Sequence, residues 1–313
     1  MSHYFDEHHR QQIETLRQRF TARTEWPTWL LLIAVYAGWF AIVLGSGWLG
    51  RAWSTLLLVV LLVLWLSVQH ELLHGHPTRW IGFNKVLGYA PFAVWYPYTL
   101  YRDSHLQHHR DEDLTVPGVD PESRYLSAAR WQGSSLFERS LHWLNKTVCG
   151  RFLFGAPLAL LALAGEQLQR LQNGERQAWL MWLTHGLLTL LMLLFIARYS
   201  VLPVWHYLLL ISVPALSIAM IRSYYEHRPH ARPEQRTVLN EAGWPWRWLF
   251  LNLNFHLVHH DLPALAWYDL PKAYFARREQ WQARSGGFVV QGYGQLWRQH
   301  GFKPIDSPQH PFH

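Results

Sequence analysis

The sequence predicts an all-α integral membrane protein, with four transmembrane helices and a cytoplasmic helical cap that carries a metal site. Three observations carry that prediction: four charge-free apolar runs, a lopsided distribution of Lys and Arg, and three histidine clusters beside the runs. An apolar bilayer core takes about 20 helical residues. The first run, about 29–49, and the second, about 52–68, are joined by a turn at 45–51. The third, 178–197, and the fourth, 199–221, meet at Arg198. None contains Asp, Glu, Lys or Arg, and the short links make two tight helical hairpins. Pro203 and Pro214 are tolerable in the fourth, because lipid-buried helices re-satisfy the freed carbonyls. Two weaker stretches read as interfacial or re-entrant. Ile81 to Leu100 is broken by Lys85, Pro91 and Pro97, and Phe152 to Gly165 has 14 residues and Pro157.

Orientation follows from charge. Arg51 and Arg198 sit in the hairpin turns, and the other 26 of 28 Lys and Arg lie on the opposite side. By the positive-inside rule both termini are cytoplasmic. Cytoplasmic segments 1–28 and 272–313 then flank a membrane domain of 29–271. The polar, mixed-charge N-terminus does not read as a secretory signal. Among 313 residues, half are hydrophobic, Trp occurs 19 times and Lys 4 times. Mean hydropathy is only −0.08, because polar segments separate the apolar blocks. Disorder, a coiled coil and a disulfide scaffold are excluded. With Cys149 alone, so are an internal disulfide and sulfur-ligand metal motifs. The net charge of +7 accompanies no nucleic-acid motif, so it is a topology signal, and no nucleic-acid partner is expected.

The 20 histidines are concentrated. His70-Glu71-Leu72-Leu73-His74-Gly75-His76 closes the second run. His105-Leu106-Gln107-His108-His109 and His256-Leu257-Val258-His259-His260 share the pattern HxxHH. At this histidine frequency a chance HxxHH is expected about 0.08 times, so two copies point to function. The charge-derived topology puts all three clusters on one side of the membrane. On a helix, positions i, i+3 and i+4 share a face, so each cluster can present its imidazoles together. The boxes supply eight nitrogen ligands: His70, His74, His105, His108, His109, His256, His259 and His260. A ninth is His227, just past the fourth run, with His76 as the alternative. Zinc takes four ligands, whereas eight or nine imidazoles suit two metals of higher coordination.

These clusters resemble those of the membrane fatty-acid desaturases and hydroxylases, whose signature is boxes of HxxxH, HxxHH and HxxHH around two helical hairpins. The likeness runs from Trp29 to about Pro271, and Glu226-His227 is similar to the extra ligand of the bacterial branch. The resemblance implies two Fe2+ ions, O2 as co-substrate, a fatty-acyl substrate and two electrons from a ferredoxin-type or other donor. It also implies a multi-pass location, in the inner membrane of a bacterium. Desaturation is the expected reaction. Hydroxylation and oxidative decarboxylation to a terminal alkene begin with the same hydrogen abstraction and stay as alternatives.

His70-Glu71-Leu72-Leu73-His74 is also a literal HExxH, which alone would suggest an intramembrane zinc metalloprotease. That reading leaves both HxxHH clusters unexplained. In the desaturase reading Glu71 orients an imidazole. A metal transporter would place its ligands near the bilayer midplane, whereas these lie beyond the helix ends. Gly45 to Gly50 spells GxGxxG but reads as a hairpin turn, lacking the strand a dinucleotide site needs. Asp111, Glu112, Asp113, Asp120 and Glu122 read as a solvated, helix-capping loop. Asp261 is a candidate partner or ligand beside the third box. Arg222, Arg228, Arg232 and Arg236 read equally as membrane-side anchors or as a dock for an anionic headgroup or acidic carrier.

Overall fold

The computed structural model describes residues 3–313; Met1 and Ser2, at the start of the N-terminal segment, lie outside the described residues. Helix α1 (Glu7–Gln18) is capped by Asp6, whose carboxylate accepts the His9 N–H at 2.6 Å. It buries Ile13 and Leu16 against the C-terminal part of the chain, where His9 and Phe5 pack on Trp281. The Asp6–Arg277 ion pair (2.7 Å) and the His3 N–H to Asp261 C=O bond (2.8 Å) tie the two ends together.

Helices α2 (Trp26–Leu44) and α3 (Ser46–Leu73) form the first hairpin across Gly45. Gly50, at φ 75°, kinks the start of α3. Glycine is at ease there, since a Cβ is costly at positive φ. The GxGxxG stretch is thus a helical hairpin turn. Of the most apolar window of α3, 78% is buried, against 28% for α2, so α3 is the central element. It extends past the expected end at 68, which places His70 on its last helical turn. Helix α4 (Tyr98–His108) follows an irregular 89–97 segment, itself pinned from below. Trp39 donates to the Tyr207 hydroxyl, Tyr207 to the Phe92 carbonyl and Ser212 to the Ala93 carbonyl, at 2.8, 2.8 and 2.5 Å.

Helix α5 (Val148–Gln172) corrects the expectation for 152–165. It has 25 residues, not 14, because Pro157 does not interrupt it. A π-type turn over Arg151–Gly155 leads into Pro157, which stands in the first turn of the segment that follows. A proline's missing N–H costs little there. Helices α6 (Arg176–Tyr199) and α7 (Val204–Tyr225) form the other hairpin; α6 ends within two residues of the expected 178–197 on each side, whereas α7 starts and ends four or five residues later than the expected 199–221. Five described helices are therefore long and apolar enough to cross a membrane, one more than the four expected. Helix α8 (His256–Asp261) is short and entirely buried. The all-α reading needs one small amendment, a parallel pair of two-residue strands, β1 (Leu239–Asn240) and β2 (Val289–Val290).

Burial, with Arg277 adding to it, pushes the His9 imidazole down to about 4 from an ordinary 6.5. A lowered folded-state value means that protons favour the undocked segment, so docking is fullest above 6.5 and weakens as pH falls towards about 4. Limited proteolysis should cut within α1 faster at pH about 5 than at about 7.5, and His9→Phe should abolish that difference.

Candidate metal centre

Four segments deliver nine imidazoles to one place. The end of α3 supplies His70 and His74, one helical turn apart, and α4 with its C-cap supplies His105, His108 and His109. Helix α8 supplies His256, His259 and His260. His227 lies two residues past α7, where an antiparallel bridge to Thr237 fixes the backbone. The rings sort into two groups, each with nitrogens within 4.8 Å of one another. One is His70, His74, His105, His109 and His259; the other is His108, His227, His256 and His260.

The protons available cannot satisfy these contacts. His105 Nδ1–H donates to Glu122 (2.9 Å) and His108 Nδ1–H to Asp120 (2.8 Å), tautomers assigned from those bonds. A neutral imidazole has one N–H, so with both rings in their neutral, metal-binding form both Nε2 atoms present bare lone pairs. His109 Nε2 lies 3.0 Å from His105 Nε2 and 3.1 Å from His259 Nε2, and can donate to only one of them. In the second group His227 Nε2 stands between His108 Nε2 (3.0 Å) and His256 Nε2 (3.1 Å) under the same limit. Nε2 of His70 and His74 is buried with no hydrogen-bond partner among the described residues. A cation at each centre would satisfy all of these nitrogens together, and the donor set fits a transition metal that accepts imidazole. Burial first, and neighbouring imidazoles second, hold His74, His109, His227, His256 and His259 well below the usual value, hence neutral and able to coordinate.

With that geometry in place, the wider comparison is decisive: the family model described as Fatty acid desaturase matches residues 46–291. The chain belongs to the fatty acid desaturase family. It is accordingly a multi-pass membrane protein of an oxidoreductase-type family that acts on fatty-acyl lipid. No individual curated protein matches the chain.

Within this desaturase-type centre the carboxylates are the residues that sequence reasoning misplaced. Asp120 and Glu122 are not merely part of a solvated loop; they grip His108 and His105. Asp120 also accepts the backbone N–H groups of Thr115 and Glu122, both at 2.9 Å, which fixes its direction. Glu226 accepts from Arg222 at 2.6 Å and lies 3.7 Å from His256 Nδ1. The one available signal was position, since Asp120 and Glu122 follow the second box within a short loop and Glu226 precedes His227. Glu71 lies 3.6 Å from His70 Nδ1 and accepts the Trp267 N–H at 3.1 Å.

His76 is in neither group. Its Nδ1 pairs with Glu25 at 2.8 Å, and the chain turns away after His74 through Gly75, at φ 90°. Asp261 forms a bidentate pair with Arg284 at 2.5 and 2.9 Å. The four arginines do not build one cradle. Arg222 is committed to Glu226. Arg228 lies over Phe288 and donates to the carbonyls of Gln235 and Gly286. Arg236 donates to the carbonyls of His230, Glu112 and Leu114, and Arg232 is exposed. Of the two histidines inside apolar helices, His185 meets the Val94 carbonyl (2.6 Å) and His206 the Thr55 hydroxyl (2.7 Å).

A cavity of about 320 Å³ opens beside His70, between α3, α4, α5 and α7. Its wall is mostly aliphatic, with Val63, Leu66, Leu160, Leu163, Leu216 and Met220. A polar patch of Glu122, Ser123, Arg124 and Arg222 lines it as well, and Glu166 on α5 adds a further carboxylate.

Asp120 orients His108 from behind and also holds the Thr115 and Glu122 N–H groups, so its loss should act on metal retention and on this loop rather than on the helical fold. Asp120→Ala is expected to weaken retention in the second group by roughly 10- to 100-fold. Metal content after dialysis against a graded chelator measures it, with circular dichroism reporting unchanged helicity.

Proposed function

We propose that this chain is an O2-dependent desaturase that binds two irons, one in each imidazole group, and introduces a double bond into a fatty acyl chain held in the cavity beside His70. The observation that carries this reading is the pairing of two convergent, buried imidazole groups with an aliphatic cavity lined by His70. His70, His74, His105, His109 and His259 would hold one iron, and His108, His227, His256 and His260 the other. Five and four imidazoles exceed what a catalytic zinc uses, which disfavours the protease alternative. When bound, the irons supply the activation of oxygen needed to break an unactivated C–H bond. The chain's own residues do the rest. The aliphatic wall aligns the substrate and keeps water from the reacting carbons. Glu122 and Asp120 lock the tautomers of His105 and His108, leaving Nε2 free to coordinate. Removing two hydrogens from the acyl chain while reducing O2 to two waters consumes two electrons and two protons from outside. The sequence has no nicotinamide or flavin motif, so an external ferredoxin-type carrier is the proposed electron source.

Four crossings, with the centre and both ends in the cytoplasm of a bacterial cell, complete the reading. The Asp6–Arg277 pair supports an even number of crossings, because it joins the two ends of the chain. Helix α5 is the one assigned to the interface. Near its start, the Cys149 N–H meets the Gly301 carbonyl; near its end, Arg170 shares a groove with Lys85 and Asp103, on the segment between the first two boxes.

Lipid analysis of a host with and without the gene tests the activity. New acyl chains lacking two hydrogens are expected, and unchanged lipids despite an iron-loaded protein would refute desaturation. Hydroxylated chains or terminal alkenes would point to the sibling reactions. The iron count of His227→Ala should fall from two per chain towards one, whereas His76→Ala should keep both. For topology, a reporter at Gly174 should lie on the cytoplasmic side and one at Gly47 on the other; Gly174 outside would mean that α5 crosses.

A further inference from the structure

The polar patch of the cavity beside His70 contains two arginines in different states. Arg222 is spent on Glu226, at 2.6 Å. Arg124 is half-buried and makes no hydrogen bond or ion pair with any described residue. The nearby acids are already engaged: Glu122 by His105, Asp120 by His108 and two backbone N–H groups, and Asp306 by Lys146 at 2.9 Å. Arg124 also lines a small polar cavity shared with Lys146 and Arg151. Arg151 is 1% exposed, its Nε has no partner, and no described carboxylate pairs with it. Each of these acids already has a hydrogen-bond or ion-pair partner, whereas Arg124 lines both cavities with no such partner among the described residues. Partly withdrawing a guanidinium from water without a partner is unfavourable. An anion arriving with the substrate would relieve it, through the bidentate geometry in which arginine meets a carboxylate.

We propose that Arg124 is the residue that selects the substrate, and that the cavity takes the acyl chain as a free carboxylate rather than as a neutral ester. The carboxylate binds Arg124 at the polar patch, and the alkyl chain runs along Leu66, Leu160, Leu163 and Leu216. This inference rests on the reading of the cavity as the acyl site. It adds a demand that the family resemblance does not make, namely a negative charge on the substrate's head.

Displacement of a fluorescent fatty acid from the full-length protein in neutral detergent tests it without any turnover. A long-chain fatty acid should displace the probe at a concentration at least about tenfold lower than its methyl ester, as a charge-assisted pair predicts. Arg124→Gln should bring the acid to the level of the ester and leave the ester unchanged, and Arg124→Lys should restore most of the preference. Equal binding of acid and ester by the unsubstituted chain would overturn the assignment while leaving the acyl cavity standing. An equal loss of both ligands in Arg124→Gln would also overturn it, by making Arg124 a structural residue. Failure of the unsubstituted chain to bind either ligand would overturn the acyl-cavity reading and this inference with it.

Discussion

The rest of the structure depends on one electrostatic constraint: among nine converging imidazoles, six Nε2 atoms stand about 3 Å apart with too few protons between them. Lone pairs about 3 Å apart repel, and burial removes the water that would otherwise separate them. Among the described residues no side chain at these contacts relieves that repulsion, and a positive charge at each group would. The surrounding carboxylates do not fill the gap, because they occupy the opposite ring nitrogens. Asp120 on His108 Nδ1 and Glu122 on His105 Nδ1 turn the Nε2 atoms inward. The same bonds that create the conflict also orient the rings for its solution, as metal-bound imidazoles require.

How much of this was legible in the sequence varied with the range of the interaction. The box histidines were legible because their convergence is local: three residues on one helical face need only the helical repeat. The carboxylates were not. Asp120 reaches His108 across a loop whose shape depends on backbone N–H groups at Thr115 and Glu122, and no periodicity announces that. His76 and His227 were separable only in three dimensions. Both lie near a helix end, but Glu25, 51 residues earlier, takes His76, while the strand-like bridge to Thr237 turns His227 inward. The length of α5 was hidden by Pro157, since proline reads as a break wherever it is not at the start of a helical segment. Here it stands at such a start, and so the apolar run continues through it.

The two groups differ in what holds them. Five imidazoles of the first come wholly from the three boxes, so α3, α4 and α8 suffice to build it. The second has four and needs His227, which lies outside every box. It therefore depends on the end of α7 and on the bridge that follows. That dependence brings in Glu226, and through Glu226 the buried Arg222. Substituting a single backbone segment would thus disturb the second group while sparing the first.

The same segment also joins the centre to the cavity. Arg222 lines the cavity wall, bonds to Glu226, and Glu226 faces His256 Nδ1 at 3.7 Å. On the other side Glu122 lines the cavity and holds His105. Each imidazole group is therefore reached from the cavity through one carboxylate, and each carboxylate has a charged or polar neighbour at the cavity's polar patch. A charge placed there acts on the first group through the Glu122–His105 hydrogen bond, and on the second only through space, across the 3.7 Å between Glu226 and His256 Nδ1. Arg124 stands at that junction as the cation that no described carboxylate holds, so an anionic head bound there would add its charge beside Glu122 without displacing any bond.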